Sequence, residues 1–350
     1  MLKLNNVISL YPTMITSRSN QNSYNQPKLN VLSADTISFT CNCQKAFPER
    51  VSLLSGRANP ELTQSIAESL NLNVGDRTLK NFSDGETYVK ISDDVQGKDV
   101  YIIQPSAMPV NDSIMELLLM ADATKRANAE QVIAIIPYMG YERQDRKAGI
   151  GEPIAAKLHA DIITTSGVDK VISVDLHAAQ IEGFFNNKNV INISAIPVLS
   201  KYIKSKNIGN MVVVSPDAGG AKRAELLAEE LDCSYAMIHK KREKHNEAKA
   251  VSLVGDINGK NCILFDDMID TAGTIVEAAN MLKEKGAKSV YVCVTHGIFS
   301  GQAYDRLEKA PIEEVIVTNT LPLKENAPKK ITQVDISPLL AGEIKRISDN

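Results

Sequence analysis

Three carboxylates and a short turn of hydroxyl and glycine residues lie close together in the stretch ILFDDMIDTAGT, residues 263–274. The apolar residues at its start indicate the end of a buried strand, and apolar residues at helical spacing follow Gly273. The backbone N–H groups of residues 270–274 should therefore lie at a helix N-terminus, where the dipole favours an anion and Gly273 lets a phosphate approach closely. Asp266 and Asp267 would repel that phosphate, so they are better suited to accept hydrogen bonds from a diol.

A phosphate cradle beside a diol-binding carboxylate pair predicts a site for ribose 5-phosphate. A simpler interpretation is that Asp270 or Thr271 only caps the following helix. Capping explains one residue and leaves the Asp pair without a role, so the ribose 5-phosphate site is favoured. The run also resembles the signature of the type I phosphoribosyltransferase fold.

A second turn of the same kind lies in VVVSPDAGGAKRA, residues 212–224. Gly219 and Gly220 can bring backbone N–H groups against a second phosphate, and Asp217 could hold Mg²⁺ or a hydroxyl beside it. An acid followed by glycines is also common in strand-to-helix turns for steric reasons alone. Two such turns in one half of the chain favour the phosphate-binding interpretation.

One histidine, His177, follows a predicted strand end together with Asp175 in VISVDLHAAQIEGFF, residues 171–185. A single histidine is usually structural, but the nearby carboxylate and the loss of apolar patterning favour an imidazole that faces a loop. Such a ring can bind Mg²⁺ or hydrogen-bond a phosphate. His159 and His296 lie in helical and strand patterns and are predicted to be structural.

A polar loop, IIPYMGYERQDRKAGIGEP at residues 135–153, gathers Arg143, Arg146 and Lys147 around Gln144 and Asp145. Its cations could clamp a nucleotide triphosphate or a base. A solvated charged loop is the commoner outcome for this composition.

A basic segment, HKKREKHNEAK at residues 239–249, leaves an apolar strand and is predicted to be mobile. It could be a simple surface excursion. Beside two phosphate-binding turns it could also close over a transferring phosphoryl group, with Lys240 and Arg242 neutralising the developing charge.

The elements that must position these residues alternate between strand and helix from residue 51 onward, which is the βαβ rhythm of a parallel sheet. The rhythm restarts with MVVVSP at residue 211, so the sequence predicts two similar α/β halves, residues 51–190 and 191–350. The boundary is expected near residues 185–195, and the last strand and helix could return to pack on the first half. GDINGKN, residues 255–261, is predicted to form a hairpin turn.

Composition excludes several classes of protein. The formal net charge of −3 offers no global attraction to nucleic acid, and no uncharged apolar run approaches the roughly 18 residues that a membrane span needs. Five cysteines show no paired CxxC spacing, and three lie in apolar strand-like runs, which predicts reduced core thiols in a cytoplasmic protein. Residues 1–48, rich in Asn and Ser, could be an organelle transit segment or a disordered extension.

Seven motifs spread over roughly residues 51–348 closely resemble the ribose-phosphate pyrophosphokinase (phosphoribosyl pyrophosphate synthetase) family. They are FSDGE (82–86), NDSIMELLLMADA (111–123), YERQDRK (141–147), VDLHAAQIEGFF (174–185), SPDAGGAKR (215–223), HKKREKHNEA (239–248) and ILFDDMIDTAGT (263–274). The resemblance implies two type I phosphoribosyltransferase-like domains, each a mainly parallel sheet flanked by helices. It also implies transfer of the β,γ-diphosphate of ATP to the anomeric hydroxyl of ribose 5-phosphate, with Mg²⁺, giving phosphoribosyl diphosphate and AMP.

The resemblance also implies roles for individual residues. The ribose hydroxyls would be held by Asp266 and Asp267, and the 5-phosphate by Asp270, Thr271, Ala272, Gly273 and Thr274. ATP would contact Arg143, Gln144, Asp145 and His177, and an adenine pocket from a neighbouring subunit would contain Phe82, Asp84 and Glu86. The diphosphate loop would be Asp217, Ala218, Gly219 and Gly220, Mg²⁺ would be held by His177, Asp217 and Asp175, and catalysis would depend on Lys240 and Arg242. The expected assembly is a homo-oligomer built from dimers, namely a hexamer.

Three departures from the family pattern stand out: Asn186 replaces a common acid, KAGIGEP lacks the usual Arg/Ser-rich stretch, and RISDN lacks an aromatic tail. The last two predict weak regulation by phosphate and ADP. A non-catalytic synthetase-associated regulatory subunit is an alternative, but such relatives carry an insertion in the basic loop that this chain lacks. A phosphoribosyltransferase would need only one such domain and no ATP pocket.

Overall fold

Two parallel sheets organise the part of the chain that this computed structural model describes, residues 47–185, 189–241 and 250–349. Most of the predicted N-terminal extension, together with Asn186 and Arg242, lies outside the described residues. The α/β fold class predicted from the sequence is confirmed, because nearly every strand pairing is parallel and helices connect the strands.

The first sheet has the strand order β1-β4-β5-β6-β7, and every pairing in it is parallel. Its elements are, in chain order, α1 (Phe47–Arg50), β1 (Val51–Ser55), α2 (Pro60–Leu70), β2 (Arg77–Asn81), β3 (Thr87–Ile91), β4 (Asp99–Ile103), α3 (Val110–Arg126), β5 (Gln131–Ile136), α4 (Ala155–Thr165), β6 (Lys170–Val174), a 3-10 helix (Ala179–Phe184) and β7 (Asn189–Ile193). Strands β1 and β4 are buried along their whole length, as the continuous apolar runs of a helix-covered parallel sheet require.

The second sheet has the strand order β10-β9-β8-β11-β12-β13-β14, with β10 as an antiparallel edge strand. Its elements are α5 (Ile196–Ser205), β8 (Met211–Ser215), α6 (Ala221–Leu231), β9 (Ser234–Lys241), β10 (Ala250–Val254), β11 (Asn261–Ile269), α7 (Gly273–Glu284), β12 (Ser289–Gly297), α8 (Ala303–Lys309), β13 (Glu314–Thr318), β14 (Ile331–Val334) and α9 (Ser337–Ser348). The hairpin turn predicted at residues 255–261 is wrong, because β10 pairs with β9 whereas β11 pairs with β8 and β12.

The two sheets share one hydrophobic core. Leu53 and Ile133 of the first sheet belong to the same buried cluster as Ile263 and Phe265 of the second. The last helix, α9, packs against α2, and the Tyr101 hydroxyl lies 3.0 Å from the Ser348 hydroxyl. The described residues accordingly form one compact unit.

The division into two domains at residue 190 remains a proposal. Strand β7 runs to Ile193 and pairs with β6, so any boundary between the two halves falls after that residue. The last helix returns to the first half, whereas β14 stays in the second sheet beside β13.

A separate two-stranded hairpin, β2–β3, precedes β4. Periodicity did not predict it, because its strands are short and only partly buried. Residues 82–86 form its turn. Within the described ranges, no helix is long and apolar enough to cross a membrane.

Candidate active site

A cavity of about 710 Å³ lies where strands β6, β8 and β11 end. Such carboxyl edges of parallel sheets are the usual place for ligand sites in α/β folds. Its walls come from both halves of the chain: the loops after β5 and β6, the β8–α6 turn and the β11–α7 turn. The lining residues are Arg143, Asp145, Arg146, His177, Ala178, Asp217, Gly219, Gly220, Arg223, and 266–275 without interruption.

The β11–α7 turn forms an N-terminal cradle on a helix of 12 residues that begins at Gly273. Ala272 caps this helix in the left-handed region with φ of 62°, a conformation that costs free energy for a residue with a side chain. Arg306 donates from Nη1 to the Thr271 carbonyl at 2.8 Å and so fixes the turn from outside. A Cβ added to Gly273 would meet nothing closer than 3.8 Å, so the fold itself does not demand glycine, and the open side suits close approach of a phosphate.

Asp270 links this turn to the arginine loop. Its Oδ2 accepts from Arg143 Nη1 at 2.7 Å, and its Oδ1 accepts from the Ser300 hydroxyl. Partial burial alone would raise the pKa of Asp270, but the hydrogen bonds from Ser300 and Arg143 outweigh it and lower the pKa. The carboxylate is therefore charged and already has partners.

Asp266 and Asp267 have different surroundings although they are adjacent. Asp267 is 4% exposed, its Oδ2 accepts from His177 Nδ1 at 2.6 Å, and its Oδ1 lies 3.4 Å from Arg223 Nη1. Burial opposes its ionisation, yet the His177 hydrogen bond and the Arg223 charge lower its pKa. Burial and the neighbouring Asp267 charge raise the pKa of Asp266 well above its ordinary value.

Asp266 is thus the carboxyl of the pair that has neither a histidine nor an arginine as hydrogen-bond partner within the described ranges. Its Oδ1 accepts from the backbone N–H of Asp267 at 2.9 Å, and its carboxyl also hydrogen-bonds the Asp267 side chain. It lines the cavity beside the second turn, where a Cβ added to Gly220 would lie 3.7 Å from its Oδ1 and 3.0 Å from the Ser215 hydroxyl. The small residue at position 220 keeps this wall of the cavity open.

The β8–α6 turn closes on itself through Asp217. Its Oδ1 accepts from Gly220 N at 3.0 Å, and its carbonyl accepts from the Ser215 hydroxyl at 2.7 Å. Asp217, Gly219 and Gly220 line the cavity, whereas Ala218 does not. The turn therefore presents glycine backbone and a single carboxylate to a ligand.

His177 lines the cavity and is held from several sides. Its backbone N–H donates to Glu142 Oε2 at 3.0 Å, and its carbonyl accepts from Arg223 Nη2 at 3.3 Å. The Asp267 hydrogen bond raises the pKa of His177, against a smaller opposing effect of burial. Sequence reasoning did not find the roles of Glu142 and Arg223, since a charged residue in a polar run gives no sign that it will be buried.

Asp175 is not part of the cavity, so its expected place among the metal ligands is not supported. It is 8% exposed, and its Oδ2 accepts from Ala195 N at 3.1 Å and from the Thr295 hydroxyl at 2.6 Å. With φ of 44° it turns the chain at the end of β6. Its carboxylate is used to join the two halves of the chain.

Several other predicted site residues lie elsewhere. Gln144 is exposed and does not line the cavity. Phe82, Asp84 and Glu86 occupy the β2–β3 turn, where Asp84 Oδ1 accepts from Glu86 N at 3.0 Å and Phe82 is 49% exposed. Lys240 lies on β9 opposite Val251, and its side chain, like the whole of Arg242, lies outside the described part of the chain.

The two histidines predicted to be structural are buried and bonded internally. His159 Nδ1 lies 3.0 Å from the Gly140 carbonyl, and His296 lies 3.0 Å from both the Thr320 hydroxyl and the Val174 carbonyl. Burial lowers the pKa of both rings, that of His159 to about 4. Both histidines are therefore neutral packing residues.

The cavity offers few protein ligands for a metal ion. No group of three or more His, Cys, Asp or Glu side chains in the described ranges is placed to hold one. His177 and Asp217 line the same cavity, and Mg²⁺ is commonly held by one or two protein groups together with substrate phosphates. The residues present thus fit an ion that arrives with a polyphosphate.

Comparison with known proteins gives consistent matches. Residues 51–167 match the N-terminal domain of ribose phosphate pyrophosphokinase, and residues 241–350 match the phosphoribosyl synthetase-associated domain. The ribose-phosphate pyrophosphokinase of Gloeobacter violaceus is 47% identical over 304 residues, which cover 86% of this chain and 91% of that protein. Ribose-phosphate pyrophosphokinase A of Dictyostelium discoideum is 48% identical over 301 residues, covering 85% and 95%.

A solved structure shows the same arrangement of both halves. The phosphoribosylpyrophosphate synthetase of Mycobacterium smegmatis superposes with a TM-score of 0.81 at 43% identity, covering 86% of this chain and 99% of that one. Identity and coverage at this level, together with two glycine turns on one cavity, show that the chain belongs to the ribose-phosphate pyrophosphokinase family.

Proposed function

We propose that the chain transfers the β,γ-diphosphate of ATP to the anomeric hydroxyl of ribose 5-phosphate, giving 5-phosphoribosyl diphosphate and AMP for nucleotide biosynthesis. One observation carries the proposal: the β11–α7 turn and the β8–α6 turn face a single cavity whose lining also includes Arg143 and Arg146. Two anion-binding turns and two cations suit one monophosphate and one polyphosphate.

The sugar half of the site would be the β11–α7 turn. The backbone N–H groups at the start of α7, with Thr271 and Thr274, would hold the 5-phosphate. Asp266 would accept from the ribose hydroxyls. Asp267 already contacts His177 and Arg223, so we assign Asp267 to positioning these two side chains. The ribose diol would then be bound mainly by Asp266.

The ATP half would be the β8–α6 turn with the arginine loop. Gly219 and Gly220 would approach the transferred diphosphate, and Arg143 would contact ATP. In the reaction the anomeric oxygen attacks the β-phosphorus, the bond from that phosphorus to the α,β-bridging oxygen breaks, and the hydroxyl loses its proton. This chain's residues would act by alignment and by neutralising charge, including the cations proposed at Lys240 and Arg242.

Magnesium is the proposed cofactor, with His177 and Asp217 as the residues that would hold it. When bound with the polyphosphate, it would supply charge neutralisation. We also propose a dimer-based homo-oligomer, a hexamer by family resemblance, in which a partner subunit's hairpin turn supplies the adenine pocket. A cytoplasmic location is proposed from the buried free thiols of Cys262 and Cys293.

The deciding experiment measures AMP release from ATP with and without ribose 5-phosphate, and follows formation of the diphosphate ester by ³¹P NMR. AMP release that requires ribose 5-phosphate is expected. A chain that is inactive alone but alters the rate of an active family member would support the regulatory subunit instead. Transfer of the phosphoribosyl group from phosphoribosyl diphosphate to a base, with release of diphosphate, would support a phosphoribosyltransferase.

A further inference from the structure

His177 is held at three of its four polar atoms, by residues from the loop after β5, from α6 and from β11. Glu142 Oε2 accepts from the His177 backbone N–H at 3.0 Å, Arg223 donates to the His177 carbonyl at 3.3 Å, and Asp267 accepts from His177 Nδ1 at 2.6 Å. Arg223 also lies 3.4 Å from Asp267, which closes the network. Only Nε2 has no hydrogen-bond partner within the described ranges.

Glu142 is the least expected member of this network. It is 1% exposed, and its Oε1 has no hydrogen-bond partner among the described residues. An unpaired polar atom in such a place costs stability, and an apolar residue of similar volume would often be more stable. Packing therefore does not explain why a carboxyl stands at this position. The hydrogen bond from the His177 backbone N–H to the carboxyl does explain it.

The Nδ1 contact decides which nitrogen of the ring is available. A carboxylate that accepts from Nδ1–H leaves the lone pair of the neutral ring on Nε2, as in histidines whose orientation is set by a hydrogen-bonded carboxylate. That arrangement requires the His177 peptide to stay in register with Asp267. Strand β6 ends at Val174, so His177 lies beyond the sheet and needs another anchor.

We propose that Glu142 is a positioning residue that anchors the His177 peptide, so that Nδ1 meets Asp267 and Nε2 remains available to the polyphosphate or its ion. The proposal rests on the proposed function insofar as that function places ATP beside His177. Glu142 itself lies beneath His177 and does not line the cavity, so it acts through the histidine and not on the substrate.

Two substitutions separate anchoring from packing. Glu142→Gln keeps the shape and an acceptor oxygen. Glu142→Leu keeps much of the volume and removes the acceptor. It loses the unpaired oxygen but leaves the His177 N–H without its partner, so thermal unfolding is measured to show that the variant folds.

The primary readout is the ¹⁵N NMR signature of the His177 ring, in which protonated and unprotonated ring nitrogens are resolved. The chain has five histidines, so His177→Asn assigns the signal by its disappearance. At alkaline pH, where the ring is neutral in spite of its raised pKa, the wild type and Glu142→Gln should show one tautomer with the proton on Nδ1. Glu142→Leu should show a mixture of tautomers.

Kinetics give a second readout on the full enzyme. Glu142→Leu should raise the KM for ATP at least about tenfold and leave the KM for ribose 5-phosphate within about twofold, and Glu142→Gln should stay within about threefold of wild type in both. Thr124→Val is the matched control, because the Thr124 hydroxyl is also buried without a partner among the described residues and lies on α3, away from the cavity.

Two outcomes for the Glu142 variants would overturn the proposal: a wild-type His177 signature in Glu142→Leu, or Glu142→Gln as impaired as Glu142→Leu. An equal rise of the KM for ATP in Thr124→Val would also overturn the proposal, since it would show a general effect of removing a buried polar atom. The NMR result is independent of turnover. It therefore decides the role of Glu142 even if the AMP assay contradicts the proposed function.

Discussion

Arg143 donates from Nη1 to Asp270 Oδ2 at 2.7 Å, joining the loop after β5 of the first sheet to the β11–α7 turn of the second. The residues are 127 positions apart in the chain. One ion pair thus connects the loop proposed for ATP with the turn proposed for ribose 5-phosphate. The two substrate sites should therefore respond together when this pair is broken.

Arg143→Ala should lower kcat/KM for both substrates by roughly tenfold to a hundredfold, because Asp270 keeps its Ser300 hydrogen bond but loses the cation that balances its charge beside a bound phosphate. Steady-state kinetics with each substrate varied in turn provides the measurement. Arg126→Ala is the control, since Arg126 forms an exposed pair with Asp122 on α3, and such pairs contribute little. A loss of kcat/KM for ATP alone would contradict the coupling between the two substrate sites.

Asp266→Ala should weaken ribose 5-phosphate binding by about 1–3 kcal/mol, the range for a hydrogen bond to a buried polar group that is lost or left unpaired, because alanine has no acceptor oxygen for the ribose hydroxyls. Asp267→Asn should change ribose 5-phosphate binding less and should alter the tautomer of His177, because its oxygens contact His177 and Arg223. Calorimetric titration with ribose 5-phosphate distinguishes the two. Equal losses in both variants would support a diol shared by the pair.

Lys240→Ala or Arg242→Ala should lower turnover at least about a hundredfold while ribose 5-phosphate binding changes little, because the lost stabilisation would be confined to the transition state. This prediction comes from the sequence, as the Lys240 side chain and Arg242 lie outside the described residues. Single-turnover rates and equilibrium binding test it together. Near-normal turnover in either variant would remove this loop from the mechanism.

The buried ring of His159 should make the folded protein less stable in acid. Burial lowers its pKa to about 4 from an ordinary value of 6.5, so below 6.5 the unfolded chain binds a proton that the folded chain does not. Stability from this group is therefore complete above pH 6.5 and falls by about 1.4 kcal/mol per pH unit on acidification towards pH 4. Chemical denaturation of wild type and His159→Asn across this range isolates the effect. A pH-independent difference would contradict it.

Activity should depend only weakly on inorganic phosphate. In the loop 148–152 the backbone N–H groups of Ala148 and Gly149 already donate to Glu152 Oε2 at 2.8 and 2.9 Å, and Ile150 is fully exposed. The loop therefore offers few free donors to a regulatory anion. Initial rates should vary less than about twofold across phosphate concentrations at fixed Mg²⁺, with chloride at equal ionic strength as control. A steep rise from near-zero activity would show that another phosphate site exists.

The amino-acid sequence determined the local chemistry of this protein. The order strand, acid, glycine and helix around residues 212–224 and 263–274 is a property of neighbouring residues, so periodicity and turn preferences predicted both glycine turns and the parallel α/β halves. The short, half-buried hairpin β2–β3 escaped that reasoning because it carries no long apolar pattern.

Only the tertiary structure decided which charges meet. Asp266 and Asp267 are equivalent in the sequence and both line the cavity, yet within the described residues His177, 90 positions from Asp267, hydrogen-bonds only Asp267. Likewise, the sequence suggests that Asp175 is a ligand beside His177, but its carboxylate accepts a hydrogen bond from Thr295. The sequence also suggests that Glu142 is a surface residue, but it is buried. A carboxylate's role depends on its partners and its exposure to water, and for these residues both are set by contacts between segments far apart in the chain.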